Sequence, residues 1–155
     1  MRRRAWDGMS LVMALAVLAG AVLLPLSAAA AGKSAAAADT PRTAEEWFRR
    51  GALVSTYGNY PGAVRAFSRA IALDPTHAGA WFSQGVAYGQ MGSFDKAIEG
   101  IDRAISLEPN NGLFHYGRGR VHLLAGERAA AVQDLKRAAE LGDEDARDFL
   151  NKNPQ

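Results

Sequence analysis

Trp47 and Trp81 lie 34 residues apart, and the same interval separates Gly51 from Gly85, Gly58 from Gly92, Ala63 from Ala97, Ala70 from Ala104 and Pro75 from Pro109. Gly119, Gly126, Ala131 and Ala138 continue the series one period later. No other feature constrains the fold as strongly. A unit of this length is one supersecondary element that cannot bury its apolar face alone, so successive units must stack and share a core. The spacing cuts the chain into units at 44–77, 78–111 and 112–145.

Each unit reads as two helices. Thr43 followed by Glu46 forms a capping box at the start of the first helix. That helix is expected to reach about Tyr57 and stop at Gly58, because glycine enters the left-handed region without steric cost. Gly92 and Gly126 occupy the same place in the later units. Asn59 and Ser93 offer N-cap oxygens to the second helices, which end near Leu73 and Leu107, ahead of Pro75 and Pro109. The third unit has Glu127 and Asp143 at those places. Gly51, Ala63 and their counterparts remove bulk where paired helices must approach to about 8–10 Å. Trp47, Val54 and Phe67 fill the space around them, as do Trp81, Tyr88 and Ile101. Gly117 and Gly119 within one helix each cost about 1 kcal/mol relative to alanine, so the third unit is expected to loosen first. After the acidic run 143–145, Ala146, Phe149 and Leu150 share one face and predict a short capping helix over the last pair.

The pattern resembles the tetratricopeptide repeat: Trp-x2-Leu-Gly-x2-Tyr, then Ala-x3-Phe, then Ala and Pro. The first unit has Trp47, Gly51, Ala63, Phe67, Ala70 and Pro75, with Arg50 and Val54 departing. The second has Trp81, Gly85, Tyr88, Ala97, Ala104 and Pro109, with Gln84 and Ile101 departing. The third keeps Gly119, Ala131, Leu135 and Ala138, but has His115, Arg118, His122 and Asp143 at signature places. The resemblance implies an all-α fold, a right-handed superhelical stack of three helix-turn-helix repeats closed by a short C-terminal capping helix.

The segment before the repeats is of another kind. Arg2, Arg3 and Arg4 precede an apolar run from Leu11 to Leu24, then Pro25 and the small residues 27–31. Residues 1–31 therefore read as a secretory signal peptide cleaved after Ala30 or Ala31, which sends the remainder to the periplasm or outside the cell. The competing reading is an uncleaved membrane anchor through residues 8–32, a span without a charge. Residues 32–42 are alanine-rich and lack apolar periodicity, as a flexible linker would. Gly32-Lys33-Ser34 imitates the end of a phosphate-binding loop, but Ser27 stands where that loop requires a glycine.

The chain has no cysteine, which excludes disulfides, a thiolate nucleophile and Cys-built zinc sites. From Gly32 onward, 15 basic residues balance 15 acidic ones, so nothing draws the body to nucleic acid. No sequence pattern for catalysis, a cofactor or a metal is present. His115 and His122 share a helical face, yet Arg118 between them is a poor neighbour for a cation, and both are read as packing residues. His77 is placed in a solvated turn.

Function then rests on binding. In the family this chain resembles, first helices line a concave groove and the fifth residue of each unit points into it. Those residues are Phe48, Phe82 and Tyr116; Val86 and Leu123 extend the row, with Ala52, Ser55, Thr56, Gln90 and Arg120 around them. Such a wall suits a protein or peptide partner with apolar anchors, and Arg120 suits an acidic group on it. The alternative is that Phe48, Phe82 and Tyr116 pack laterally between helices, and both can hold together. Relatives that clamp a peptide's terminal carboxylate use lysine, asparagine and arginine at places that here hold Phe48, Ala52, Ser83, Leu113 and Gly117, so that clamp is missing. A second reading is a self-associating subunit whose end faces stack on another copy.

Overall fold

The Glu46 amide donates to Thr43 Oγ1 at 3.1 Å while the Glu46 carboxylate accepts from the Thr43 amide at 3.1 Å. This reciprocal box starts the first helix of the computed structural model, which describes residues 41–153. Amide donors from Arg42 and Thr43 also hold the Glu46 carboxyl below the usual carboxylate range. Seven helices follow in order among the described residues: α1 (Ala44–Thr56), α2 (Tyr60–Leu73), α3 (Ala78–Gln90), α4 (Phe94–Leu107), α5 (Gly112–Leu124), α6 (Arg128–Glu140) and α7 (Glu144–Lys152). The described residues contain no strand, and no helix among them is long and apolar enough to cross a membrane. The expected signal peptide at 1–31 and linker residues 32–40 lie outside the described residues, as do the last two residues of the tail.

α1 packs on α2, α3 on α4 and α5 on α6, and each hairpin then packs on the next, giving a helical-repeat superhelix. Gly58, Gly92 and Gly126 make the turns within hairpins at φ 74°, 74° and 83°, where a side chain would be strained. Gly142 does the same before α7 at φ 95°. Asn59 Oδ1 caps α2 by accepting from the Gly62 amide, whereas Ser93 makes no side-chain cap bond to α4, contrary to its expected role. His77 is mostly buried rather than fully solvated, its side chain 20% exposed. Its Nδ1 accepts from the Ala80 amide at 3.2 Å to cap α3, its ring lies 4.8 Å from that of Phe48, and Nε2 faces Glu45 at 3.4 Å.

The core repeats with the sequence. Phe67, Ile101 and Leu135 are the largest fully buried side chains, and they stand at one repeat position. Facing them are the small residues. A Cβ on Gly51 would lie 2.6 Å from the Phe67 ring, and one on Gly85 would lie 2.7 Å from the Ala97 carbonyl oxygen. On Gly119 it would meet Leu135 at 3.1 Å. Gly119 is thus a fitted position, and its intrinsic helix cost is the condition for seating Leu135.

α7 stays in register with the repeat. Phe149 falls where Trp47, Trp81 and His115 stand, and Leu150 where Phe48, Phe82 and Tyr116 stand. The helix is a truncated fourth first-helix, capped by Asp143 Oδ1 on the Ala146 amide, and it packs Ala146, Phe149 and Leu150 against Leu135 and Ala138. Because backbone atoms of α4 bound the space at Gly85, Gly85→Ala should lower stability by about 1–3 kcal/mol, despite alanine's better helix propensity. Urea denaturation of the wild type and the variant measures the difference.

Candidate functional site

The first helices place their small and aromatic residues along one side. Between α1 and α3 lies a depression of about 390 Å³ lined by Ala52, Ser55, Thr56, Tyr60, Phe67, Phe82, Ser83, Val86 and Gln90. Between α3 and α5 lies one of about 200 Å³ lined by Phe82, Val86, Gly89, Gln90, Leu113, Tyr116, Gly117, Arg120, Val121 and Leu124. Phe82, Val86 and Gln90 line both, so the two depressions form one groove with α3 as its floor ridge. The first section mixes hydroxyls with aromatic edges. The second is mainly apolar, with exposed Leu113 and Leu124 at its rim, and carries the lining's single formal charge in Arg120. The Arg120 guanidinium lies 5.8 Å from the Tyr116 ring, a cation–π contact that aligns it along the groove.

Of the expected groove residues, Ala52, Ser55, Phe82, Val86, Gln90, Tyr116 and Arg120 line these depressions, whereas Phe48 and Leu123 do not. Phe48 packs forward onto Phe67 and the His77 ring. Leu123 packs with the cluster that α7 covers. Phe82 combines the two alternatives. Its ring stacks on Phe114 at a centroid distance of 4.8 Å and sits in the space that Gly117 leaves open, with its remaining surface on the groove. Tyr116 likewise packs on the last cluster while lining the groove. Residue types alone did not single out Tyr60, Ser83, Gly117, Val121 or Leu124. Leu124 was still within reach, since it is the repeat counterpart of Thr56 and Gln90.

Behind the groove, the departures from the repeat pattern form polar rungs. Gln84 Nε2 on α3 donates to Ser68 Oγ on α2 at 2.7 Å. One period later, Arg118 on α5 donates to Asp102 on α4, at the counterpart positions. Arg118 also reaches within its own hairpin, donating to Asp134 through Nε at 2.8 Å and Nη2 at 2.6 Å. Asp134 stands where Ala66 and Gly100 stand in the earlier units. By accepting from Arg118, Asp134, and after it Asp102, raises the arginine's pKa above its ordinary value against the opposing effect of partial burial. α4, α5 and α6 are therefore pinned by one guanidinium.

The histidines belong to this support. His115 Nε2 is 3.0 Å from the Pro109 carbonyl, as Trp81 Nε1 is from the Pro75 carbonyl, so His115 reproduces the tryptophan's hydrogen bond as well as its place. Donation from Nε2 leaves Nδ1 of the buried ring without a hydrogen bond, 3.9 Å from Asp134. His122 Nδ1 lies 2.6 Å from Glu127. Among the described residues, no group of three or more His, Asp or Glu is placed to hold a metal ion.

A family model described as tetratricopeptide repeat matches residues 84–146, and a TPR repeat model matches residues 57–92. No curated protein matches the chain at a significant level. Among solved structures, MamA superposes with a TM-score of 0.61 at 31% identity, covering 68% of this chain and 61% of that one. The first TPR of Spaghetti (RPAP3), bound to the HSP90 peptide SRMEEVD, superposes at 0.67 with 20% identity, covering 71% of this chain and 89% of that one. YrrB, described as a TPR protein with an unusual peptide-binding site, superposes at 0.66 with 18% identity, covering 72% and 58%. The chain thus spans about three fifths of the MamA chain.

The polar rungs predict a non-additive pair of substitutions. Asp134 is 6% exposed. Arg118→Met strands its carboxylate and should cost about 3 kcal/mol, the low end for a broken buried pair because the guanidinium keeps some solvent contact. Arg118→Gln combined with Asp134→Ala copies the residues at Gln84 and Ala66 and should cost clearly less. Denaturant midpoints of the variants measure both.

Proposed function

We propose that this chain, whose residues 84–146 and 57–92 match family models of the tetratricopeptide repeat, is a non-enzymatic scaffold that holds a protein or peptide partner in the groove across α1, α3 and α5. The observation that carries this reading is the continuity of the two depressions through Phe82, Val86 and Gln90. A peptide lying along the groove would meet hydroxyl and amide groups from Ser55, Thr56, Ser83 and Gln90, which can satisfy its backbone. It would then meet an apolar slot walled by Phe82, Val86, Leu113 and Leu124. An apolar or aromatic side chain fits that slot, and an acidic neighbour fits Arg120. Ser83, Leu113 and Gly117 offer no cation to a terminal carboxylate. The favoured anchor is an internal side chain, and the lysine, asparagine and arginine set of a clamp that grips the end of its ligand is not present at these places.

The leader-like residues 1–31 support a location outside the cytoplasm for this scaffold, in the periplasm or secreted, or on a membrane if residues 8–32 are retained. Self-association by stacking of ends gains no support from the C-terminal end, where α7 already occupies the surface a second copy would take.

Val86→Glu puts a charge in the shared section of the groove without touching the helix-pair core. Capture of the native partner from cell extract should fall at least about tenfold while the circular-dichroism melt stays within a few degrees; unchanged capture would remove the groove from the proposal. Sequencing the N-terminus of protein recovered from cells is expected to start at Ala31 or Gly32, and an intact Met1 would instead favour the anchored form.

A further inference from the structure

In each later unit, the first helix carries a face that the preceding hairpin covers. On α3 that face holds Gln84 and Ala87; on α5 it holds Arg118 and Val121. Ala87 is 1% and Val121 4% exposed, while Gln84 donates to Ser68 of α2 and Arg118 to Asp102 of α4. One period earlier, the same face of α1 holds Arg50 and Leu53. Leu53 is 58% exposed. Arg50 makes no ion pair among the described residues, and its guanidinium rests 5.8 Å from the Trp47 ring. The other end of the stack is finished differently, with α7 turning only polar side chains fully to solvent, among them Glu144, Asp148 and Lys152.

We propose that the outer face of α1 is a docking surface, separate from the groove, for an amphipathic helix of another protein that presents a carboxylate to Arg50. The molecule shows what covers the counterpart faces: in both later units the cover is a helix, and where the residue is arginine an acceptor on that helix is Asp102. Covering Leu53 removes apolar surface from water, and covering Arg50 requires an acceptor to replace its hydration. Among its described residues, a second copy has no free second helix to supply that cover. α2 and α4 are already covered by α3 and α5, and α6 by α7. On α6, moreover, Lys136 stands where Asp102 stands on α4, which would set cation against cation.

The absence of cysteine allows a single-site test on the full chain. Leu53→Cys is labelled with a thiol reagent in the presence and absence of a synthetic peptide with the sequence of residues 93–108, the segment that covers the matching face of α5. Cys labelling should be rapid alone and slowed by the peptide. An Asp102→Lys peptide should need about tenfold more for the same protection, and adding Arg50→Glu to the chain should reverse the preference between the two peptides. Gln90→Cys, in the groove, should keep its labelling rate throughout. A residue 53 thiol that is unreactive without peptide, protection indifferent to the charge exchange, no protection by either peptide, or equal slowing of Gln90→Cys each overturns the proposal.

Discussion

Helix pairs in this protein close on glycine. At Gly51, Gly85 and Gly119 there is no room for a Cβ without moving the buried residue opposite or the backbone of the partner helix. Into that contact the second helix inserts Phe67, Ile101 or Leu135. The close approach decides the rest, because it sets the distance at which each hairpin can offer a flat face to the next. Once the hairpins nest, the first helices fall side by side and the groove between them exists without any residue dedicated to making it.

The departures from the repeat pattern become intelligible in the same frame. Gln84 and Arg118 stand where the resembled family has leucine, and each spans to the preceding hairpin through a hydrogen bond. Polar contacts of this kind have direction and length, so they fix the register of one hairpin on the next where an apolar contact would let it slide. The third hairpin, with three glycines in α5, holds the densest such network, Arg118 joining Asp102 and Asp134. Gly117 also has a use there, since its bare backbone is where the Phe82 ring rests.

Most of the groove was readable from the repeat interval, because position within a unit determines which way a side chain points. Phe82 and Tyr116 line it for that reason. Phe48 and Leu123 share the interval but not the surroundings. Phe48 is on the end helix, where its ring turns onto the His77 cap, and Leu123 lies beneath α7. An interval describes a unit with neighbours on both sides, and among the described residues these two belong to units without an ordinary neighbour on one side.

From sequence alone, the 34-residue recurrence of small and bulky residues determined the helical pairs, their glycine turns and the identity of the core, since steric exclusion and apolar burial act on residue type at fixed spacing. Tertiary structure alone decided what the unusual residues do. Arg118 and His115 acquire their roles from groups far along the chain or across a turn, Asp134 and the Pro109 carbonyl, and the exposure of Leu53 goes with the lack of a covering hairpin among the described residues. Hydrogen bonding and burial depend on which surfaces meet, and only the folded stack brings those surfaces together.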